Sequence, residues 1–387
     1  MKIYLRLLLA VFLLSVATSN IVGQEDEYRS EVIVDGLHNP CGIAIQPGTG
    51  HLFVADSGAQ RVVRILDGKP RNAIVGFPSQ GFGRNPEFRM GPLGLLFLDK
   101  DTLVVGGGGN PDGEELVRVY KVPAPDAEAI SADKMEHGFV LKSEGSVQGE
   151  GDFFGLAKSA KGLYVTCNGD ESKAWIAKAD LAGNVVSNLR RHIATKDRTG
   201  TNAPNGITLS PEGYLAVSHM GKTRMEQDSL LAFYNERGDL LDKFPIGLYD
   251  VTGLAYGPKK KRLFAIDFAY ADTSKGGLFK LVETADEGGC KPVKIMSLDK
   301  PTAMVFDNLG NLYVTVCGSK PTKQELESTP KSEEEKRRAK AERAIGGGID
   351  KFEEKEAPKP SDDEPEESTP SHYGKLIKIY DIDKVAK

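Results

Sequence analysis

Seven residues of this chain carry reactive or ligating side chains at matched positions of a recurring pattern. They are Cys41, Asp56, Asp152, Asn205, His219, Asp250 and Asp267. Carboxylates and a carboxamide suit a hard cation such as calcium or magnesium, and an imidazole among them shifts the preference towards zinc. Asn205, Asp267 and His219 form the candidate metal set, with Asp56 and Asp152 nearby. A cation there would polarise a carbonyl or activate water. The same groups could instead hold an organic ligand by hydrogen bonding. Other chemistries lack their residues. No Gly-x-Ser-x-Gly elbow of a serine hydrolase occurs. Gly106-Gly107-Gly108-Gly109 lacks the Gly-Lys-Ser/Thr of a phosphate cradle and is read as a wide turn.

The positions of these residues follow from a repeat. Gly42-Ile43-Ala44-Ile45 is an apolar run, closed by the turn residues Pro47-Gly48-Thr49-Gly50. Leu52-Phe53-Val54-Ala55 follows, then Asp56-Ser57-Gly58, then the alternating Arg61-Val62-Val63-Arg64-Ile65, which predicts a half-buried strand. The unit returns at Gly94, Gly155, Gly206, Gly253 and Ala303, at intervals of 47 to 61 residues. Four strands per unit at that period predict a β-propeller. The sixth unit has no fourth strand of its own, and Glu31-Val32-Ile33-Val34-Asp35 belongs to no unit. The orphan therefore completes the last blade, giving an all-β, six-bladed β-propeller closed by an N-terminal strand.

Two positions per blade should face the mouth of the central channel. The residue before the anchor is Cys41, Leu93, Phe154, Asn205, Thr252 or Thr302. The residue ending the second strand is Asp56, Gly107, Cys167, His219, Asp267 or Val316. Asp152 and Asp250 precede their anchors by three residues and approach the same rim. An Asp after a strand is also a common turn residue that binds local backbone, and Asp56 is read chiefly that way.

Composition bounds the rest. Lys2 and Arg6, the apolar Leu7–Val16 and the small residues after it predict an export signal over 1–23. The expected product is a periplasmic or extracellular monomer with no membrane span. Its formal charge of -5 argues against nucleic acid as a partner. Cys41, Cys167, Cys290 and Cys317 lack metal or disulfide-framework spacing. Cys41 and Cys317 fall in neighbouring blades, so either a bridge or two free thiols is compatible with the pattern. The propeller occupies 31–318 plus 373–383. Between them, 319–372 is a charged insertion within blade six. From Lys320 to Glu367 it holds 11 Lys/Arg and 15 Asp/Glu with few apolar residues, a composition that predicts disorder.

Leu52 to Val62 resembles the repeat of the NHL family. Asn205-Gly206-Ile207-Thr208-Leu209-Ser210-Pro211-Glu212-Gly213 resembles the corresponding unit of the gluconolactonase and senescence-marker-protein group. The resemblance implies the six-bladed fold. Its enzymes imply a divalent cation at the channel face, held by acidic and Asn ligands from just before the first strands. Asn205 matches such a position, whereas Cys41, Phe154 and Thr252 stand where acids are expected. That departure favours an exported, non-catalytic scaffold binding a protein, peptide or glycan through the channel face. The alternative is a divalent-metal-dependent lactonase. The amidating lyases of the NHL type imply three zinc-binding histidines, and only His38 and His219 are placed to reach that face.

Overall fold

The computed structural model describes residues 28–81, 88–223, 227–284, 289–320 and 372–385. The expected export signal (1–23) and almost all of the expected insertion (321–371 of 319–372) lie outside the described residues. The chain is a six-bladed β-propeller of four-stranded antiparallel sheets. The innermost strands are Pro40–Ile45, Pro92–Phe97, Leu156–Ser159, Pro204–Leu209, Val251–Tyr256 and Pro301–Phe306.

The second strands explain the apolar Leu-aromatic-Val runs of the sequence. Leu52–Asp56, Leu215–His219 and Leu263–Asp267 are buried at every position. Each is central in its sheet and has a neighbouring blade on either face, so both sets of alternating side chains leave water. The contacts form six apolar clusters, one for each interface between blades. Phe53, Ala55, Leu103 and Val105, for example, join the first blade to the second.

Closure uses both ends of the propeller sequence. Ser30–Leu37 pairs antiparallel with Gly374–Ile379, which in turn pairs with Leu312–Val316. Val34, Leu37 and Leu376 pack on Ile43, Val54 and Val63 of blade one. The seam is therefore as apolar as the other interfaces. Blade one also gains a short parallel strand, Ile130–Ser131, on its outer strand Lys69–Val75. No helix among the described residues is long and apolar enough to cross a membrane.

The anchor glycines are where neighbouring blades approach most closely. A Cβ on Gly42 would overlap the carbonyl of Leu93, and one on Gly94 the carbonyl of Phe154. Gly106–Gly109 is not the wide turn expected. Gly106 and Gly107 belong to the strand Thr102–Gly107. A side chain on Gly106 would strike the Phe153 carbonyl, and one on Gly107 the Glu115 carboxylate.

Candidate functional site at the channel mouth

Pairing along the innermost strand slips just before the anchor in five blades, between Pro40 and Gly42, Pro92 and Leu95, Pro204 and Ile207, Val251 and Gly253, and Pro301 and Ala303. A bulge re-aims the side chain it carries. Here it turns the residue before the anchor out of the pleat and towards the channel mouth. Cys41, Asn205, Thr252 and Thr302 reach the mouth in this way. Phe154 reaches it from a loop, because the blade-three strand starts only at Leu156. Together these five residues separate a mouth cavity of about 650 Å³ from a chamber of about 90 Å³ in the channel below. Leu93 is the exception, fully buried behind Gly108.

Three of the seven sequence candidates line the mouth cavity: Cys41, Asp152 and Asn205. Asp56, Asp250, His219 and Asp267 do not, and the structure gives each another setting. Asp56 Oδ1 accepts from His38 N at 2.5 Å, and Oδ2 accepts from Arg61 Nε at 2.8 Å. Asp267 accepts from Tyr249 N (2.9 Å), Asp250 N (2.7 Å) and Ala269 N (3.1 Å). Both aspartates thus hold the backbone that leads into their own blade, 18 residues upstream. His219 occupies the same place against Thr201 and Asn202. Its ring is fully buried, and no well-formed hydrogen bond reaches either nitrogen from the described residues, the Thr201 and Asn202 backbone lying nearby. Burial pushes its pKa down to about 4, against a smaller opposing effect of that backbone. Asp250 accepts from Tyr270 N at 2.6 Å. Blade two has Gly107 at the Asp56 position, and the buried Glu115 fills the gap, accepting from Asn110 N and paired with Arg118 at 3.0 Å.

The expected metal set is accordingly not assembled. Asp267 spends both oxygens on backbone, His219 lies behind the wall, and Asn205 Nδ2 is directed at Met220 Sδ (2.8 Å). The hydroxyls of the ring are also committed. Thr252 Oγ1 donates to Pro301 O at 2.9 Å and Thr302 Oγ1 to Pro40 O at 2.5 Å. Among the described residues, no three His, Cys, Asp or Glu side chains are placed to share a metal ion. The donor set does not fit the cation that the family resemblance implies. His38 is likewise absent from the cavity wall.

Asp152 is different. It sits at φ +48° in the loop before Phe154 and lines the cavity, and the charged groups acting on it among the described residues are the acids Asp112 and Glu115. Burial, with Asp112 and Glu115 adding to it, pushes its pKa up to about 7. Cys41 lies close by; burial raises its thiol to about 11, which keeps it protonated. Cys317 also lines the cavity, and all four cysteines are free, which decides the sequence-level choice between a bridge and two thiols.

The remaining wall was not legible as a site. Phe88, Arg89 and Met90 come from the connection between blades one and two, and Phe268 and Tyr270 follow the second strand of blade five. Asp170 and Met220 come from blades three and four. Burial would raise Asp170, but bonds from Ser172 and the Trp175 indole outweigh it and hold the carboxylate below its usual range.

No protein-family model matches the sequence, and no curated protein does. Solved structures do. A glucose dehydrogenase structure matches over 91% of this chain and 99% of its own, at 13% identity and TM-score 0.52. This chain has their fold. A Thermus thermophilus protein described as a putative oxidoreductase (glucose dehydrogenase) covers 75% of this chain and 94% of its own, at 17% identity and TM-score 0.51. A gluconolactonase from Xanthomonas campestris covers 75% and 86%, at 13% identity and TM-score 0.50. At these identities the likeness concerns the propeller alone. Several activities occur on it, so function has to be argued from the site.

Proposed function

We propose that the chain binds one small organic molecule in the cavity at its channel mouth. The observation that carries this reading is the cavity itself. At about 650 Å³ it falls within the range of small-molecule sites, roughly 300–1,000 Å³. Four of its wall residues, Cys41, Asn205, Thr252 and Thr302, are ones the blades turn out of their pleats. The volume suits a single small molecule, or the end residue of a peptide or glycan, more than a broad protein surface.

A second reading is favoured by Asp152. A carboxyl with pKa near 7 is matched to proton transfer at neutral pH. In hydrolysis of a bound lactone or ester, Asp152 would take a proton from water as the water oxygen bonds to the carbonyl carbon. It would then return that proton to the departing alkoxide. This is the lactonase alternative with its proton chemistry moved to a carboxylate. The test is a panel of lactones and esters assayed with the native chain and with Thr252→Trp, which fills the mouth. Ligand-induced thermal shifts that vanish in the filled variant support the binding site. Shifts that survive it overturn the site. Turnover with an apparent pKa near 7, lost in Asp152→Asn, supports hydrolysis, and turnover unchanged in that variant refutes it.

A further inference from the structure

The cavity has two unlike sides. On the side of blades five, six and one, Phe268 and Tyr270 stack at 4.6 Å between centroids with 21° between planes. Phe88 comes across from the connection between blades one and two. It meets both rings edge-on, at 5.8 Å and 5.9 Å. Lys300 Nζ lies 5.5 Å from the Phe88 centroid and donates to Gly318 O, which holds that ring against the far side of the mouth. Asp250 fixes the backbone of Tyr270 through its 2.6 Å bond. Cys41 and Cys317 continue this apolar side. The opposite side, from blades three and four, is polar: Asp170, Lys196, Asn202 and Lys222.

On the floor of the cavity, beside the aromatic side, three polar groups are committed within the fold. Thr252 and Thr302 donate to the carbonyls of neighbouring blades, and Asn205 Nδ2 is directed at Met220. A sugar needs donors and acceptors converging on it from several sides, whereas here the free polar groups lie on one side and face an aromatic wall. Three rings that meet edge-on and stacked offer a flat apolar ligand the geometries that aromatic groups prefer.

We infer that the ligand is amphipathic, with an aromatic ring seated against Phe88, Phe268 and Tyr270 and a polar end turned towards Lys196 and Lys222, and that Phe88 is a specificity-determining residue. This rests on the small-molecule reading above and sharpens it. It also separates this chain from the sugar chemistry named for proteins of like fold.

The single tryptophan supplies a readout. Trp175 Nε1 donates to Asp170 Oδ2 at 3.3 Å, and Asp170 lines the cavity, so occupancy should alter its emission. Phenylacetate, 2-phenylethanol and methyl glucoside are titrated into the full chain, with calorimetry in parallel. The phenyl compounds are expected to bind at least about tenfold more tightly than the glucoside. Phe88→Ala and Tyr270→Leu should each erase most of that preference, read as the ratio of phenyl to glucoside affinity at a temperature where both variants stay folded. Glucoside binding as tight as phenyl binding overturns the aromatic inference and leaves the small-molecule site standing. Phenyl binding indifferent to both substitutions overturns it too. No response to any probe, by either method, removes the site and the inference together.

Discussion

The hydroxyl of Thr302, in the last blade, donates to the carbonyl of Pro40, the first residue of the first innermost strand, at 2.5 Å. This contact crosses the seam where the two ends of the propeller meet, and the same hydroxyl also faces Thr315 Oγ1 at 2.9 Å. Removing it should loosen closure without touching any apolar cluster. Thr302→Val is expected to lower stability by about 1–2 kcal/mol, since the buried Pro40 carbonyl loses its donor. Leu37→Ala, at the apolar part of the same seam, should cost about 2–5 kcal/mol. Denaturant unfolding of both variants checks the order. A Thr302→Val loss exceeding that of Leu37→Ala would contradict the assignment of closure to apolar packing.

Asp267 should behave as a structural group. Asp267→Ala strands three backbone N–H groups and is expected to cost about 2–4 kcal/mol. The binding constant of any cavity ligand, measured by calorimetry at a temperature where the variant stays folded, should not change. Asp56→Ala should act likewise, with Arg61 losing its carboxylate and keeping only its bond to Asn72.

Asp152 should show the reverse balance. Its folded pKa, about 7, lies above the unfolded value near 3.9. The folded chain therefore binds more protons between those values. Its contribution to stability is fully present below about pH 4 and is lost as pH rises to about 7 and beyond. Asp152→Asn should raise stability at pH 8 by about 1–2 kcal/mol, have little effect at pH 4, and change ligand binding. Equal effects at both pH values would show that the carboxyl is not strained by burial.

His219 gives the acid side an opposite slope. Its folded pKa is depressed to about 4, against about 6.5 unfolded. Here the unfolded chain binds more protons. Stability present above about pH 6.5 is lost as pH falls towards 4, by up to about 3 kcal/mol. His219→Gln should flatten that acid limb of a melting-temperature profile, most clearly when Asp152→Asn is also present to remove its opposing slope.

The two thiols at the seam should be slow to react. Cys41 is held at about 11 by burial, and Cys317 is fully buried at 3% exposure. Alkylation followed by mass spectrometry should label neither at neutral pH within the time that labels both in denaturant, because the thiolate is the nucleophile. Rapid native labelling of Cys41 would refute its setting.

The six-bladed ring was legible in the sequence because each blade repeats one apolar pattern, and because the strand count closes only when Val34 and its neighbours join the last sheet. The ring of residues before each anchor was legible for the same reason, and four of its five mouth residues arrive there on bulges. Strand-end residues were the harder case. Asp56, His219 and Asp267 share a register that points to the mouth in a regular strand. Their side chains instead turn back to the segment 18 residues upstream, a contact no local pattern announces. Phe88, Phe268 and Tyr270 were invisible for another reason. They lie on connections with no periodicity, and only the tertiary structure brings residue 88 against residue 268.

The bulges have a consequence for how such a molecule can change. A residue turned out of the pleat belongs to none of the six apolar clusters, so its identity is almost independent of the packing that holds the ring together. Cys41, Phe154 and Asn205 can be exchanged without opening an apolar interface, whereas Thr252 and Thr302 also carry a hydrogen bond to the next blade. The mouth is therefore a surface whose chemistry can drift while the architecture beneath it stays constant.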